Sequence, residues 1–402
     1  MKIGIAGPIS TESIRALLSE NSHELPRGIA GAPFLATLIA GLISAGHQVS
    51  AFTLAQELAP GQKSPVVGTG DKFKIYYGPY RKRSIRFNST SPGRIVDLFR
   101  LERRAIKQAI VLDKPDVIHA HWSYEYALAA LASGVPALVT CHDSPLRVLR
   151  YMPNLYRFGR LLMALRVFRR ATCLTAVSPY LRSEIGRFAK ADISVIPNPA
   201  PFSNHVTLDP DLKMEKFANP LVVMINNGWD KRKNVEAALK AFPLFCESFP
   251  GATLQLFGQG YQVEGPAENW AKQNHLDRNV VFHGVSSHEE IMRTLEDASL
   301  LLHTSREETF GLVLIEAMTA GVPVIGGADS GGVPWVVDYG KAGVLVDVES
   351  PKDIANGMKQ LLQSKERYSK MRRHAFEYVQ NNFSADRVIE KYIDCYKELL
   401  SH

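Results

Sequence analysis

The chain has 402 residues, 22% of them charged and 46% hydrophobic, with a formal net charge of +7. Domains run about 100 to 200 residues, so two lobes are expected, and the composition excludes a disordered or fibrous chain. No run of eighteen apolar residues occurs, and MKIGIAGPIS passes from Lys2 straight into a short strand with no leader pattern, so a soluble, cytosolic protein is expected.

Short β-rich runs alternate with longer helical ones, the pattern of parallel sheets covered by crossover helices. KIGIA (2–6) reads as the first strand. PFLATLIAGLISAG (33–46), apolar around most of its circumference and stopped by Gly46, reads as a buried helix. The strands QVSAFT (48–53), FKIYY (73–77) and DVIHA (116–120) follow, then the helix YEYALAALASG (124–134) and the strands PALVTC (136–141) and TCLTAV (172–177). Residues 147–170 form one helical run with seven Arg and no acid. Five prolines, Pro197, Pro199, Pro201, Pro210 and Pro220, then fall in a polar stretch unsuited to a regular helix or central strand. The interdomain linker is placed there, over 199–220.

A second series of strands begins at LVVMIN (221–226) and continues through ATLQLF (252–257), NVVFHG (279–284), ASLLLH (298–303), VPVIG (322–326) and AGVLVD (342–347). After Ser384, a possible cap, Ile389, Tyr392, Ile393, Tyr396, Leu399 and Leu400 fall at helical spacing. The expected architecture is therefore α/β, with two facing doubly wound Rossmann-like domains over 1–198 and 221–383. The terminal helix 384–402 is expected to cross back onto the first. Open α/β sheets bind ligands beyond the carboxyl ends of their strands, so a cleft between the lobes is the expected site.

One stretch concentrates unusual features. In SREETFGLVLIEAMTAGVPVIG (305–326), two carboxylates, Glu308 and Glu316, bracket an apolar segment. Glu308 falls in a strand-to-helix loop, and the helix should run over 311–320. Its start offers unpaired N–H groups and partial positive charge suited to a phosphate, supplied by Phe310, Gly311, Leu312 and Val313. Glu316 would lie roughly 7 Å further along the helix axis. Carboxylates accept well from pairs of hydroxyls, which points to sugar on one side of the anion and ribose on the other.

In the full context E-x-F-G-x4-E-A-M-x-x-G-x-P-V, the sequence resembles the retaining GT-B glycosyltransferases with the E-x7-E motif, glycosyltransferase family 4-like and glycosyl transferases group 1. The resemblance extends over essentially the whole chain. It implies that Glu308 contacts the donor sugar, that Phe310 to Val313 offer amides to the diphosphate, and that Glu316 holds the ribose. It also implies a basic pair in NNGWDKRKN, where Lys233 matches the family lysine. The usual arginine position falls at Asn227 or Gly228, leaving Lys231 or Arg232 to supply the second charge.

In the first lobe, PALVTCHDSPLR matches a T-x-H position, which implies that His142 contacts the donor sugar and that Arg147, five residues on, is its basic companion. His119 and His121 occupy a neighbouring strand end and read as structural or supporting. Gly28 and Gly31 in GIAGAP stand for the family's N-terminal glycine-rich loop. In SGGVPWVV, Trp335 stands where a glutamate is common.

The resemblance implies retention by a front-face route in which the departing diphosphate takes the acceptor proton. Asp209-Pro-Asp211 is a D-x-D only by letters, and no cluster has metal-ligand spacing, so a metal-independent reaction without cofactor is expected, the nucleotide sugar being a substrate. The four cysteines, Cys141, Cys173, Cys246 and Cys395, lie far apart with no C-x-x-C pair and read as thiols.

Charge is unevenly distributed: residues 1–200 hold 26 Lys and Arg against 13 Asp and Glu, and the remainder holds 21 against 27. The arginine-rich run 147–170, with YYGPYRKRSIRF (76–87), suits either an anionic membrane surface or a solvated basic face. The expected partners are a UDP- or GDP-sugar donor and a glycan or lipid-linked acceptor in surface polysaccharide or lipopolysaccharide synthesis. Peripheral contact with the inner face of the cytoplasmic membrane fits that acceptor, and nucleic acid does not, because no binding motif accompanies the charge. The competing readings are a nucleotide-sugar epimerase of similar architecture and an inactive nucleotide-sugar-binding homologue.

Overall fold

The computed structural model describes residues 1–402 apart from 20–23, 63, 86–91, 201–207, 209–214 and 402. The chain divides into two compact units, one of Met1–Pro201 with Ala385–His402 and one of Phe202–Ser384. The dipeptide acids Asp209 and Asp211, and Arg86 and Phe87 of the second basic run, lie outside the described residues.

Among the described residues the first unit is built on eight strands: β1 (Lys2–Ala6), β2 (Gln48–Ala55), β3 (Val66–Gly70), β4 (Phe73–Pro79), β5 (Val117–His121), β6 (Ala137–Cys141), β7 (Cys173–Ala176) and β8 (Ile193–Val195). They lie in the order β3-β4-β2-β1-β5-β6-β7-β8, with only the β3–β4 pair antiparallel. Helices cover both faces of such a sheet, which is why β5 and β6 are buried along their whole length. Two edge strands, β3 and β8, escaped the sequence reading. The first is half exposed and carries two glycines, and the second is three residues long beside the prolines of the linker.

The terminal helix Ala385–Ser401 packs within this unit. Gly41 admits it: a Cβ there would stand 1.9 Å from Ile389 Cδ1. Its two tyrosines reach polar groups on the sheet. Tyr396 Oη lies 2.7 Å from His119 Nδ1, and His119 Nε2 lies 2.7 Å from Thr140 Oγ1, which bonds Thr175 at 2.6 Å. Residues 147–170 are not one helix. They break at Pro153 into Pro145–Tyr151 and Leu155–Arg170, because proline cannot continue a helix and Asn154 caps the second by accepting from the Arg157 N–H.

Among the described residues the second unit holds six parallel strands: β9 (Leu221–Ile225), β10 (Thr253–Phe257), β11 (Val280–Gly284), β12 (Leu300–His303), β13 (Val324–Gly327) and β14 (Gly343–Val346). Their order is β11-β10-β9-β12-β13-β14. One core of Val222, Met224, Phe242, Leu254, Leu302 and Ile354 fills the space between sheet and helices. Among the described residues of the stretch expected to be an irregular linker, Glu215–Ala218 forms a helical turn, where no proline intervenes.

The histidine ladder beneath the terminal helix has a measurable cost if cut. Tyr396→Phe removes the partner of a buried imidazole nitrogen and should destabilise the first unit by about 1 to 3 kcal/mol. Urea unfolding followed by tyrosine and tryptophan fluorescence reads it, and a change as small as that of the surface substitution Leu400→Ala would show that the contact is unimportant.

Candidate active site

The strand order of the second unit reverses direction between β9 and β12. At such a switch point the loops leaving the two central strands diverge and open a crevice at their carboxyl ends. β9 runs out into residues 226–234 and β12 into 304–311, so Lys233 and Glu308 reach one place from opposite sides of the reversal.

The first loop is fixed by an aspartate turn. Asp230 Oδ1 accepts the N–H groups of Arg232 at 2.8 Å and Lys233 at 3.1 Å. Gly228 opens the turn with φ of 101°, a conformation suited to glycine, and its carbonyl accepts from the Tyr261 hydroxyl at 2.8 Å. The two loops are tied together where Arg306 N–H donates to the Arg232 carbonyl at 2.8 Å and the Thr304 hydroxyl donates to the Asn234 carbonyl at 3.0 Å.

Glu308 sits at the meeting point. Its Oε2 lies 3.3 Å from Lys233 Nζ and 3.8 Å from His303 Nε2, with the Glu308 side chain 19% and the His303 side chain 2% exposed. Its carbonyl accepts from Gly332 N–H at 2.7 Å, an approach only glycine permits, since a Cβ on Gly332 would stand 2.3 Å from the Thr309 carbonyl oxygen. Burial alone would raise the Glu308 carboxyl, but Lys233 and, more weakly, Arg232 overcome it and hold the group below its ordinary range. Burial pushes His303 down to about 4, against the pull of Glu308, so it is a neutral imidazole at pH 7. Among the described residues, three buried side-chain nitrogens at these strand ends have no hydrogen-bond partner: Asn226 Nδ2, Arg232 Nε and His303 Nε2. Buried polar atoms are rarely left so, and donors without acceptors fit an anionic, oxygen-rich ligand.

Of the two cations offered for the missing arginine, Arg232 is half-buried and acts on both Glu308 and His303, whereas Lys231 is exposed and turns its carbonyl toward the Arg306 guanidinium. The helix after Glu308 spans Leu312–Thr319, with Gly311 as its N-cap at φ of 82°. The first N–H groups of any helix have no intrahelical acceptor, so Leu312 and Val313, both half-buried, present donors at this end. Phe310 is 2% exposed and packs on Trp335 and Phe383, which assigns both its ring and the departure at Trp335 to packing. Glu316 lies on the same helix, half-buried, and its carboxyl is raised by burial, with His288 pulling the other way.

The remaining expected residues belong to the first unit. Gly28 has φ of 72°, and a Cβ there would stand 2.2 Å from the Ile9 carbonyl, so a side chain is excluded. Gly31, at φ of 121°, has open space where a Cβ would point. His142 lies just past β6, with Nε2 3.0 Å from His121 Nδ1 and its ring against Phe34 and Trp122. Burial lowers it to about 3 and holds His119 and His121 well below their ordinary 6.5. Arg147 forms a two-point ion pair with Glu184, at 2.7 and 3.0 Å, an engagement the sequence did not announce.

Sequence reading missed His303 and Asp230. The first looked like the last residue of an apolar strand, ASLLLH, and its place beside Glu308 depends on how the loop after β12 folds back. The second had a local signal, since an aspartate two and three residues before a cation pair is the spacing of an Asx turn.

Four buried neutral histidines make stability depend on acid. Each is held neutral when folded yet titrates near 6.5 when unfolded, so its contribution is complete above 6.5 and lost as pH falls. For His303 that window runs from 6.5 to about 4 and is worth about 3 kcal/mol. Urea midpoints should be level above pH 7 and fall steeply between pH 6.5 and 4; level midpoints down to pH 5 would contradict the buried neutral state.

Known proteins share this organisation. Residues 213–378 match the family Glycosyl transferases group 1, and residues 32–202 match Glycosyltransferase Family 4. The chain is 29% identical over 303 residues to N-acetyl-alpha-D-glucosaminyl L-malate synthase of Bacillus anthracis, covering 71% of this chain and 75% of that one. It spans only 58% of the glycogen synthase of Mycobacterium tuberculosis, at 28% identity over 251 residues and 60% of this chain. Among solved structures, sucrose-phosphate synthase from Thermosynechococcus elongatus superposes with a TM-score of 0.75 at 19% identity, over 100% of this chain and 99% of that one. Anabaena HepE, solved with UDP and glucose, gives 0.67 at 17% identity over 99% of this chain and 100% of its own. The fold is GT-B, and with the two family matches taking in most of its length, the chain belongs to the glycosyltransferases of group 1.

Proposed function

We propose that the protein transfers a hexose, with retention at the anomeric carbon, from a UDP- or GDP-sugar to a hydroxyl of a glycan or lipid-linked acceptor, without a metal ion. The observation that carries this reading is the convergence of Lys233, Arg232 and Glu308 at the β9/β12 switch point, beside a helix start with free donors. A diphosphate fits the cations and the helix start, and sugar hydroxyls fit Glu308. The structure of HepE with UDP and glucose supports a uridine diphosphate sugar as a donor of this class.

In this reading the bond between the anomeric carbon and the diphosphate oxygen breaks as the acceptor oxygen bonds on the same face. The departing oxygen receives the acceptor proton. The protein's task is to stabilise the charge that develops on the diphosphate, through Lys233, Arg232 and the amides of Leu312 and Val313. His142 and the Gly28–Gly31 loop of the first unit are assigned to the sugar and the acceptor.

An assay with UDP-, GDP- and ADP-sugars tests this. One of them should be hydrolysed slowly to nucleoside diphosphate, unaffected by EDTA. Lys233→Ala should cost about a hundred- to a thousandfold in turnover. Arg232→Ala should cost about tenfold or more while Lys231→Ala changes little, since only Arg232 bears on Glu308. Full turnover by Lys233→Ala removes it from the reaction, and epimerised sugar in place of free nucleotide replaces transfer with isomerisation.

An acceptor in a membrane agrees with the helix Leu155–Arg170, where Leu155, Phe158 and Leu162 stand 59%, 47% and 37% exposed among arginines. Among the described residues no helix is long and apolar enough to cross a membrane, so contact would be peripheral. Sedimentation with phosphatidylglycerol vesicles at low salt should carry the protein down, and Phe158→Glu should release it; no binding by the unaltered protein removes the membrane from the proposal.

A further inference from the structure

His303 has no role in the reading above, yet it is the least explained group near Glu308. It ends β12, in register with Gly326 of β13, and is 2% exposed. Its Nε2 has no hydrogen-bond partner and lies 3.8 Å from Glu308 Oε2, too far for a bond and near enough to close with a small movement. The same carboxylate oxygen is held by Lys233 at 3.3 Å. Two nitrogens thus converge on one acceptor atom, and only the nearer, Lys233 Nζ, is within hydrogen-bond distance of it. Leaving a buried imidazole N–H unsatisfied costs free energy, which is recovered whenever an acceptor reaches it.

The two donors differ in what holds them. Lys233 is a long cation on a loop, free to follow a stronger anion. The imidazole is fixed by a central strand and cannot leave. When a diphosphate arrives, Lys233 is drawn from Glu308 toward it, and a half-buried carboxylate would lose its partner at the moment it must orient a sugar. We propose that His303 is a positioning residue that takes over Glu308 Oε2 from Lys233 when the donor binds, leaving Oε1 directed to the sugar hydroxyl. This rests on the donor reading of the preceding subsection. Because a neutral imidazole carries no charge, the handover keeps Glu308 anionic and a good hydroxyl acceptor. A second cation there would have competed with the diphosphate for Lys233's place or neutralised the carboxylate's attraction for the sugar.

The inference separates sugar from nucleotide. His303 acts only through Glu308, so its loss should weaken binding of a nucleotide sugar and spare the nucleoside diphosphate. Calorimetric titration of the full chain with UDP-glucose, UDP-N-acetylglucosamine and GDP-mannose, each beside its UDP or GDP, tests this on His303→Leu and His303→Gln. For the sugar nucleotide bound by the wild type, His303→Leu should lose roughly ten- to hundredfold in affinity, the value of a hydrogen bond to a charged group, with UDP or GDP affinity unchanged. His303→Gln, which keeps an N–H near the Nε2 position, should recover most of it. Equal loss of both ligands in His303→Leu, no loss of either, or a glutamine variant as impaired as the leucine one overturns the assignment.

A second measurement needs no ligand and no variant that folds poorly. Nitrogen-15 spectra of histidine-labelled wild type at pH 7.5 should show His303 neutral with its proton on Nε2; a proton on Nδ1 alone leaves nothing to donate and overturns the inference. If the wild type binds none of these nucleotides, the donor reading fails first and the handover fails with it, a result distinct from any difference among the variants.

Discussion

The contact on which the rest depends is the 3.3 Å pair between Lys233 and Glu308. Neither residue would be held there by local sequence, since they are separated by three strands of the chain. Parallel pairing of β9 with β12 brings their loops together, and the outward winding of the other strands keeps that spot uncovered. Everything else in the site either fixes one partner of this pair or modulates its charge. Asp230 fixes the backbone of Lys233, Gly332 admits the backbone of Glu308, and Arg232 adds to Lys233 in holding the carboxyl anionic.

A buried ion pair with little compensation is poor material for stability, because desolvation of both charges offsets their attraction. The neighbourhood is consistent with a site kept for binding instead. Three nitrogens stand unsatisfied around it, a helix start adds donors, and the hydrophobic core beneath carries the fold through Val222, Leu254, Leu302 and their neighbours.

Much of the fold was legible because parallel strands between two helical layers must be apolar along their length. The runs KIGIA, PALVTC, LVVMIN and ASLLLH therefore announced themselves, and Gly46 and Gly134 marked helix ends. What failed were features set by partners distant in sequence. β3 is recognisable only once β4 is beside it, and β8 is too short to carry a period. The arginine-rich run looked continuous because its periodicity ignores the capping of Asn154 and the halt at Pro153.

The site divides the same way. Glu308, Gly311 and Glu316 stood out through a motif in one contiguous stretch, and Lys233 through a resemblance at a loop. The choice between Lys231 and Arg232 was not readable, since adjacent side chains on a turn point in different directions and only the geometry shows which one is turned inward. Arg147 was expected from the family resemblance, and its pairing with Glu184 on another helix is a long-range event that no window of sequence contains. His303 gave no signal at all.

A crystal structure with bound UDP-glucose, or with whichever nucleotide sugar is hydrolysed, tests the central claim most directly. It should show the diphosphate against the amides of Leu312 and Val313, Lys233 moved from Glu308 to a phosphate oxygen, and Glu308 bonded to a sugar hydroxyl. A nucleotide bound elsewhere, or Lys233 still paired with Glu308 beside an occupied site, would contradict it.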